Sequence, residues 1–184
     1  IVSSSSTSAL PDGLSQEAWF KTTSTSGGKI IGYGSSKNLN SSTTCRNVYM
    51  TDDGKVIFGV YSGSRKTITS PNSYNDGVWH HMVSTIGSDG MKLYVDGQLV
   101  GSLASVTTGR SLSGYWRFGG DNLNGWPSRP SSDYFTGQMD DVAIYPSVLS
   151  PAKIAAHYAT GKNLTAPTAS FSTTALDTQA SFDA

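Results

Sequence analysis

The sequence is short of charge, of glutamate, of cysteine and of long apolar runs. Charged residues fill 14% of its 184 positions, and thirteen basic side chains balance thirteen acidic ones to a formal net charge of zero. That balance leaves no basic field to hold a nucleic acid backbone or an anionic membrane surface. The low charge content argues against coiled coils and α-solenoids, whose exposed helix faces are rich in charge. No apolar run is long enough for a membrane-spanning helix. The opening Ile1-Val2-Ser3-Ser4-Ser5-Ser6 lacks the charged and apolar regions of a signal peptide. A single cysteine, Cys45, excludes an internal disulfide. It opens Cys45-Arg46-Asn47-Val48-Tyr49-Met50 and reads as a strand residue, because no His or Asp close in sequence would activate the thiol.

Small polar residues take the place of the missing charge. Glycine, serine and threonine number 20, 30 and 19, together 69 of 184 residues. Asp-Gly occurs at Asp12-Gly13, Asp53-Gly54, Asp76-Gly77, Asp89-Gly90 and Asp96-Gly97. Between apolar runs this dipeptide marks a hairpin, because Gly accepts positive φ and Asp tolerates it. Asp53-Gly54 and Asp96-Gly97 have such flanks. Further strands are expected at 16–21, 29–34, 66–69, 79–86, 115–119 and 139–145, with 79–86 and 91–95 joined at Asp89-Gly90. About ten short strands in the first 145 residues predict an all-β sandwich of two antiparallel sheets. Parity along the strands puts Val56, Phe58 and Val60 in the core, with Leu93 and Val95; Tyr94 points out or toward a second layer.

One helix is expected near the end of this domain. Ser150 suits the N-cap, Pro151 the first helical position and Gly161 the C-terminal stop, while Ile154 and Tyr158 share a face. Ten residues do not hold a helix in water, so it must dock on the sandwich. Composition then changes. Residues 162–168 read as a linker, and the alternating pieces 169–172 and 180–183 read as the beginning of another module spanning 169–184.

Four ordered blocks resemble one family. Asn75-Asp76-Gly77-Val78-Trp79-His80-His81-Met82-Val83 is similar to the Asp-Gly-x-Trp-His-His-x-Val signature of laminin-G-like, concanavalin A-like domains. The strand and hairpin 91–100, the closing strand 135–145 and the helix 149–154 follow in that family's order. The resemblance covers residues 1–161 and implies a jelly-roll sandwich with one short C-terminal helix. Two departures stand out. The closing strand reads Met139-Asp140-Asp141 where the family has Ile-Asp-Glu, and members carry a further strand upstream. The tail 166–184 resembles the opening of a polycystic-kidney-disease-type, immunoglobulin-like module. Domains of this family are common in secreted bacterial proteins and carbohydrate-active enzymes, where they bind glycans or support neighbouring domains.

The chemistry is sparse. Glycosidases of this fold need paired carboxylates facing one cleft. Glu17 is the one glutamate and has no aspartate two or five residues on, and Asp140 and Asp141 are adjacent, hence on opposite faces of a regular strand. The three histidines, His80, His81 and His157, show no zinc-binding spacing. The resemblance implies one structural calcium at the sandwich rim, with Asp140, Asp141 and Asp76 as its carboxylates. The 119–134 loop is the most unusual stretch, long and polar with Trp126 between Gly125 and Pro127. Trp126, Asp121, Asn122 and Arg129 are the candidate glycan-binding set, an aromatic face with acid, amide and guanidinium groups. Alternatively Trp126 folds back and plugs the loop against the sandwich. The sequence thus predicts a non-catalytic, extracellular, polysaccharide-binding module next to other domains of one polypeptide. A structural spacer or adhesion module is the alternative, and a glycoside hydrolase a distant third.

Overall fold

A computed structural model describes residues 1–163; the remainder of the expected linker, 164–168, and the expected immunoglobulin-like module, 169–184, lie outside the described residues. Those described form twelve strands and one helix. One sheet orders the strands β1 (Val2–Ser3), β11 (Ser113–Phe118), β4 (Gly28–Gly34), β5 (Thr44–Met50), β6 (Lys55–Ser62) and β7 (Ser64–Ser73), and β2 (Ser8–Ala9) also pairs with β11. The other runs β10 (Gln98–Leu103), β9 (Gly90–Val95), β8 (His80–Gly87), β3 (Leu14–Lys21) and β12 (Gln138–Tyr145). Every strand pairing within the sheets is antiparallel. The helix α1 spans Pro151–Asn163 and covers the outer face of the smaller sheet. The expected jelly-roll-like sandwich with a short C-terminal helix is therefore the fold.

The core lies between the sheets. Val56, Phe58 and Val60 meet Phe20, Met82, Leu93 and Val95 there, all of them buried. The hairpin from β9 to β10 turns at Asp96 and Gly97, both left-handed with φ of 53° and 74°, the geometry of a type I′ turn. The β8–β9 hairpin differs from expectation by one residue. Gly87 pairs with Gly90, so Ser88 and Asp89 make the turn, and Gly90 opens β9 with φ 95°.

Both outer faces are covered as well, which parity alone did not foretell. Tyr94 points away from the core and packs with Val83, Leu149 and Ile154 beneath α1. Tyr49 and Ile57 point outward from the larger sheet yet are fully buried, with Leu123 and Trp126 of the 119–134 loop lying over them. The helix starts as expected, with Ser150 Oγ accepting the Lys153 N–H at 3.2 Å. It does not stop at Gly161 but runs two residues further, to Asn163. Gly161 serves packing instead. A Cβ there would collide with Cζ2 of Trp19, so the missing side chain lets α1 sit directly on the indole.

Candidate functional site

The 119–134 loop is closed down on the sheet. Trp126 is only 4% exposed. Its Nε1–H donates to Thr44 Oγ1 at 2.9 Å, its ring meets Tyr49 at 6.5 Å between centroids, and the Arg65 guanidinium lies 5.7 Å from its centroid. Gly59 makes room for it, since a side chain there would press on Cζ3 of the indole. The turn Leu123–Trp126 places two apolar side chains on one side of the loop, and the outward pair Tyr49 and Ile57 receives them. Of the two readings of Trp126, the structure has the plug.

The other members of the set are likewise engaged. Asp121 is fully buried; its Oδ1 accepts the N–H of Ser41 and of Asn122, each at 2.8 Å, and its Oδ2 lies 3.5 Å from Lys29 Nζ. Burial pulls the Lys29 ammonium down to about 8 against the opposing pull of Asp121. Asn122 donates to Ser41 O and accepts from the Asn124 N–H. Arg129 stands apart, forked onto Asp133 by two bonds of 2.9 Å. Trp126, Asp121 and Asn122 thus come together on the loop's inner side, whereas Arg129 belongs to a separate pair.

The acids implied for calcium divide between two places. Asp76 Oδ1 accepts the Val78 N–H and meets His80 Nε2 at 3.1 Å, while His80 Nδ1 meets Asp96 Oδ2 at 2.8 Å. Burial alone would lower the His80 imidazole; hydrogen bonds and charge from Asp96 and Asp76 outweigh it and hold it above its ordinary value. Asp140 and Asp141 lie on β12 at a bulge, where one extra residue separates the pairs Asp140–Trp19 and Ala143–Glu17. The bulge gives Asp141 a left-handed backbone, φ 47°, and breaks the regular alternation expected for the two acids. Burial, Asp140 and Glu17 all push the Asp141 carboxyl up. Among the described residues no three His, Cys, Asp or Glu side chains converge as a metal cage. A calcium ion near Asp140 and Asp141 would have to draw most of its oxygens from backbone and water.

Glu17 is sealed under α1. Its Oε1 lies 2.6 Å from His81 Nε2 and 2.9 Å from His157 Nδ1. Burial alone would raise this carboxyl, but the bonds from His81 and Tyr145, the His81 charge and the His157 bond hold it below its ordinary value. A carboxylate fixed on two imidazoles between helix and sheet docks α1. It faces no cleft.

An open cleft lies elsewhere among the described residues, at the rim where β3 ends and β12 begins. Lys21, Thr22, Thr23, Ser24, Thr25, Ser26, Gly77, Thr136, Gly137 and Gln138 line about 530 Å³. Its wall is braced from within. Thr22 Oγ1 donates to Thr136 O at 2.5 Å, the Gly77 N–H donates to Thr22 O at 3.0 Å, and Asn75 Nδ2 donates to Ser24 O at 3.0 Å. Thr23, Thr25, Thr136 and Gln138 are exposed and direct hydroxyl and amide groups to solvent, with the Lys21 ammonium beside them. No carboxylate lines this cleft. In the sequence its one signal is the run Thr22-Thr23-Ser24-Thr25-Ser26 between two strands.

Comparison with known proteins bears on the family and the fold. The family model described as the Concanavalin A-like lectin/glucanases superfamily matches residues 2–155. A rat protein, "Sushi, von Willebrand factor type A, EGF and pentraxin domain-containing protein 1", is 28% identical over 103 residues, 52% of this chain; the chain spans about 3% of that protein's length. The heptameric SAP-like pentraxin of Limulus polyphemus has a TM-score of 0.60 at 19% identity, covering 83% of this chain and 72% of the other. The CBM40 of the Ruminococcus gnavus IT-sialidase, bound to α2,3-sialyllactose, has a TM-score of 0.61 at 16% identity, covering 81% and 84%. At such identities the structural likeness shows the fold alone. Among the described residues no helix is long and apolar enough to cross a membrane. The family model covers more than half of the sequence, and the chain belongs to the Concanavalin A-like lectin/glucanases superfamily.

Proposed function

We propose that this chain is a non-catalytic carbohydrate-binding module of a secreted, multidomain protein, and that the rim cleft is where it takes a glycan. The observation that carries this reading is the lining of the cleft. Hydroxyl, amide and ammonium groups stand open on a braced wall, and no carboxylate stands among them. Such a surface matches the hydroxyls of a sugar and offers no general acid and no nucleophile for glycosidic cleavage. The relatives support the reading by analogy of fold, since one is a carbohydrate-binding module with a bound glycan.

A glycan array followed by calorimetric titration tests it. Thr136→Ala and Gln138→Ala remove exposed polar groups and should weaken binding without moving the melting temperature. Glycan binding that neither substitution changes would overturn the assignment to this cleft. No binding to any saccharide would overturn the functional reading itself. A chelator arm addresses calcium: a melting temperature that rises with calcium and no longer does so in Asp140→Asn would put an ion at the closing strand.

A further inference from the structure

Tyr134 is the one aromatic side chain among the described residues that stands exposed, at 44%. It is also held rigidly. Its backbone bridges to Lys29 and to Gly120, and both its N–H and its carbonyl bond the Ser132 hydroxyl. The chain on either side is tied down too, by Lys29 N–H to Asp133 O and by Phe135 N–H to Gly119 O. The ring lies against Gly120, where a Cβ would collide with its Cδ1. Its hydroxyl donates to Asn40 Oδ1 at 3.2 Å, which leaves the exposed Asn40 amide N–H groups free beside the ring. Leu39 and Ile1, 74% and 66% exposed, lie next to Asn40 and Gly120. The nearby charges of Arg129 and Asp133 satisfy one another.

We infer that Tyr134 and Asn40 form a second saccharide platform, on which a neutral sugar ring stacks while the Asn40 amide donates to its hydroxyls. The inference rests on the reading of the chain as a carbohydrate-binding module. A rigid flat ring loses little entropy when it takes up a ligand, and a sugar presents the apolar C–H face and polar rim that this pair complements. The Arg129 and Asp133 charges cancel and the Arg117 guanidinium, bonded to Leu39 O, is buried, so a neutral sugar needs no charge partner here. The same stretch that carries Tyr134 continues into Thr136, Gly137 and Gln138, which wall the rim cleft. One segment therefore serves both places, and the ligand class it fits is a neutral polysaccharide chain rather than a single terminal sugar.

The test titrates the whole chain with graded arabinan and xylan oligosaccharides, alongside the array of neutral and acidic glycans. Tyr134→Ala should weaken binding of long oligosaccharides about tenfold, leave the shortest binders unchanged and keep the wild-type melting temperature. Tyr134→Phe keeps the ring and should retain most of the affinity, which separates stacking from any fault in folding. Gln138→Ala, at the cleft, should weaken short and long ligands alike. Equal affinity of Tyr134→Ala and wild type for every oligosaccharide bound would overturn the platform and leave the cleft standing. Loss of self-association in Tyr134→Ala with saccharide binding intact, read by sedimentation, would overturn it in favour of a protein contact. If the wild-type chain binds no saccharide at all, platform and functional reading fail together.

Discussion

Trp126→Ala distinguishes a tryptophan that anchors a loop from one that receives a ligand. In the structure the indole is 4% exposed, so nearly all of its surface is removed from water. A buried tryptophan covers roughly 200 Å², worth about 5 kcal/mol at 25 cal/mol per Å². The alanine methyl recovers little of this, and the vacated space adds a cavity term unless the loop collapses into it. Tyr49, Ile57 and Leu123 would then lose their cover. The expected loss is about 3–5 kcal/mol in urea denaturation, or a fall of about 6–20 °C in melting temperature for a chain of this size. Trp126→Phe keeps most of the apolar area but forfeits the bond to Thr44 and should cost about 1 kcal/mol more than the lost area alone. Denaturation followed by circular dichroism reads both variants. A loss below about 0.5 kcal/mol in Trp126→Ala, the scale of a surface change, would refute the anchor. Together with loss of glycan binding, it would restore the tryptophan to the binding set.

Three further outcomes follow from the same contacts. Asp121→Asn leaves the Lys29 ammonium buried without a counter-charge and should cost about 3–5 kcal/mol at neutral pH, and a change under about 1 kcal/mol would show that Lys29 sheds its proton or reaches water. Gly161→Ala should destabilise the protein although helix propensity alone predicts a gain of about 1 kcal/mol, because the new Cβ meets the Trp19 ring; a raised melting temperature would contradict the packing. His80 contributes stability that is fully present below its ordinary value of 6.5 and is lost as pH rises through its raised folded value. A melting profile against pH should show that loss, and His80→Gln should abolish it. An unchanged profile in the variant would assign the titration to another group.

The sequence made the strands legible because the signals there are local. Asp96-Gly97 specified its hairpin through two left-handed residues, and the alternation Val56, Phe58, Val60 specified the core face. Ser150 and Pro151 marked where α1 begins. The sequence leaves a residue's role open where a distant partner decides it. Gly161 looks like a helix stop until Trp19, on another element, is seen beneath it. Asp140 and Asp141 look like a regular alternation until β12 is paired with β3 and the bulge emerges. Trp126 sits in a run whose composition suits a sugar site. Its burial depends on Tyr49 and Ile57, two outward residues on strands far back in the chain. The cleft was overlooked for the opposite reason. Its wall joins the end of β3 to the start of β12, more than a hundred residues apart, and neither piece carries an aromatic marker.

The placement of the acids connects these observations to function. Hydrolysis of a glycosidic bond needs two carboxyl groups set across an open cleft, about 5–10 Å apart. In this chain four of the acids, Glu17, Asp121, Asp76 and Asp96, are committed to holding the sandwich together. Glu17 clamps α1 through His81 and His157. Asp121 neutralises Lys29 beneath the long loop. Asp76 and Asp96 grip His80 from two sides, and the turn that starts at Asp76 carries Gly77 into the wall of the rim cleft. That last link gives the proposed binding site a dependence on His80. When the imidazole loses its second proton it cannot donate to both carboxylates, and Asp76, the more exposed of the two, is the one released. The Gly77 turn then keeps the Val78 N–H bond to Asp76 Oδ1 and its own backbone bond to Thr22, but loses its tie to His80. Glycan affinity should therefore fall over the same interval as stability does, as pH rises through the raised His80 value, and His80→Gln should remove the pH dependence of both. Affinity that stays constant across that interval while the melting temperature drops would show that Gly77 does not shape the site, and would shift the ligand toward Thr136 and Gln138.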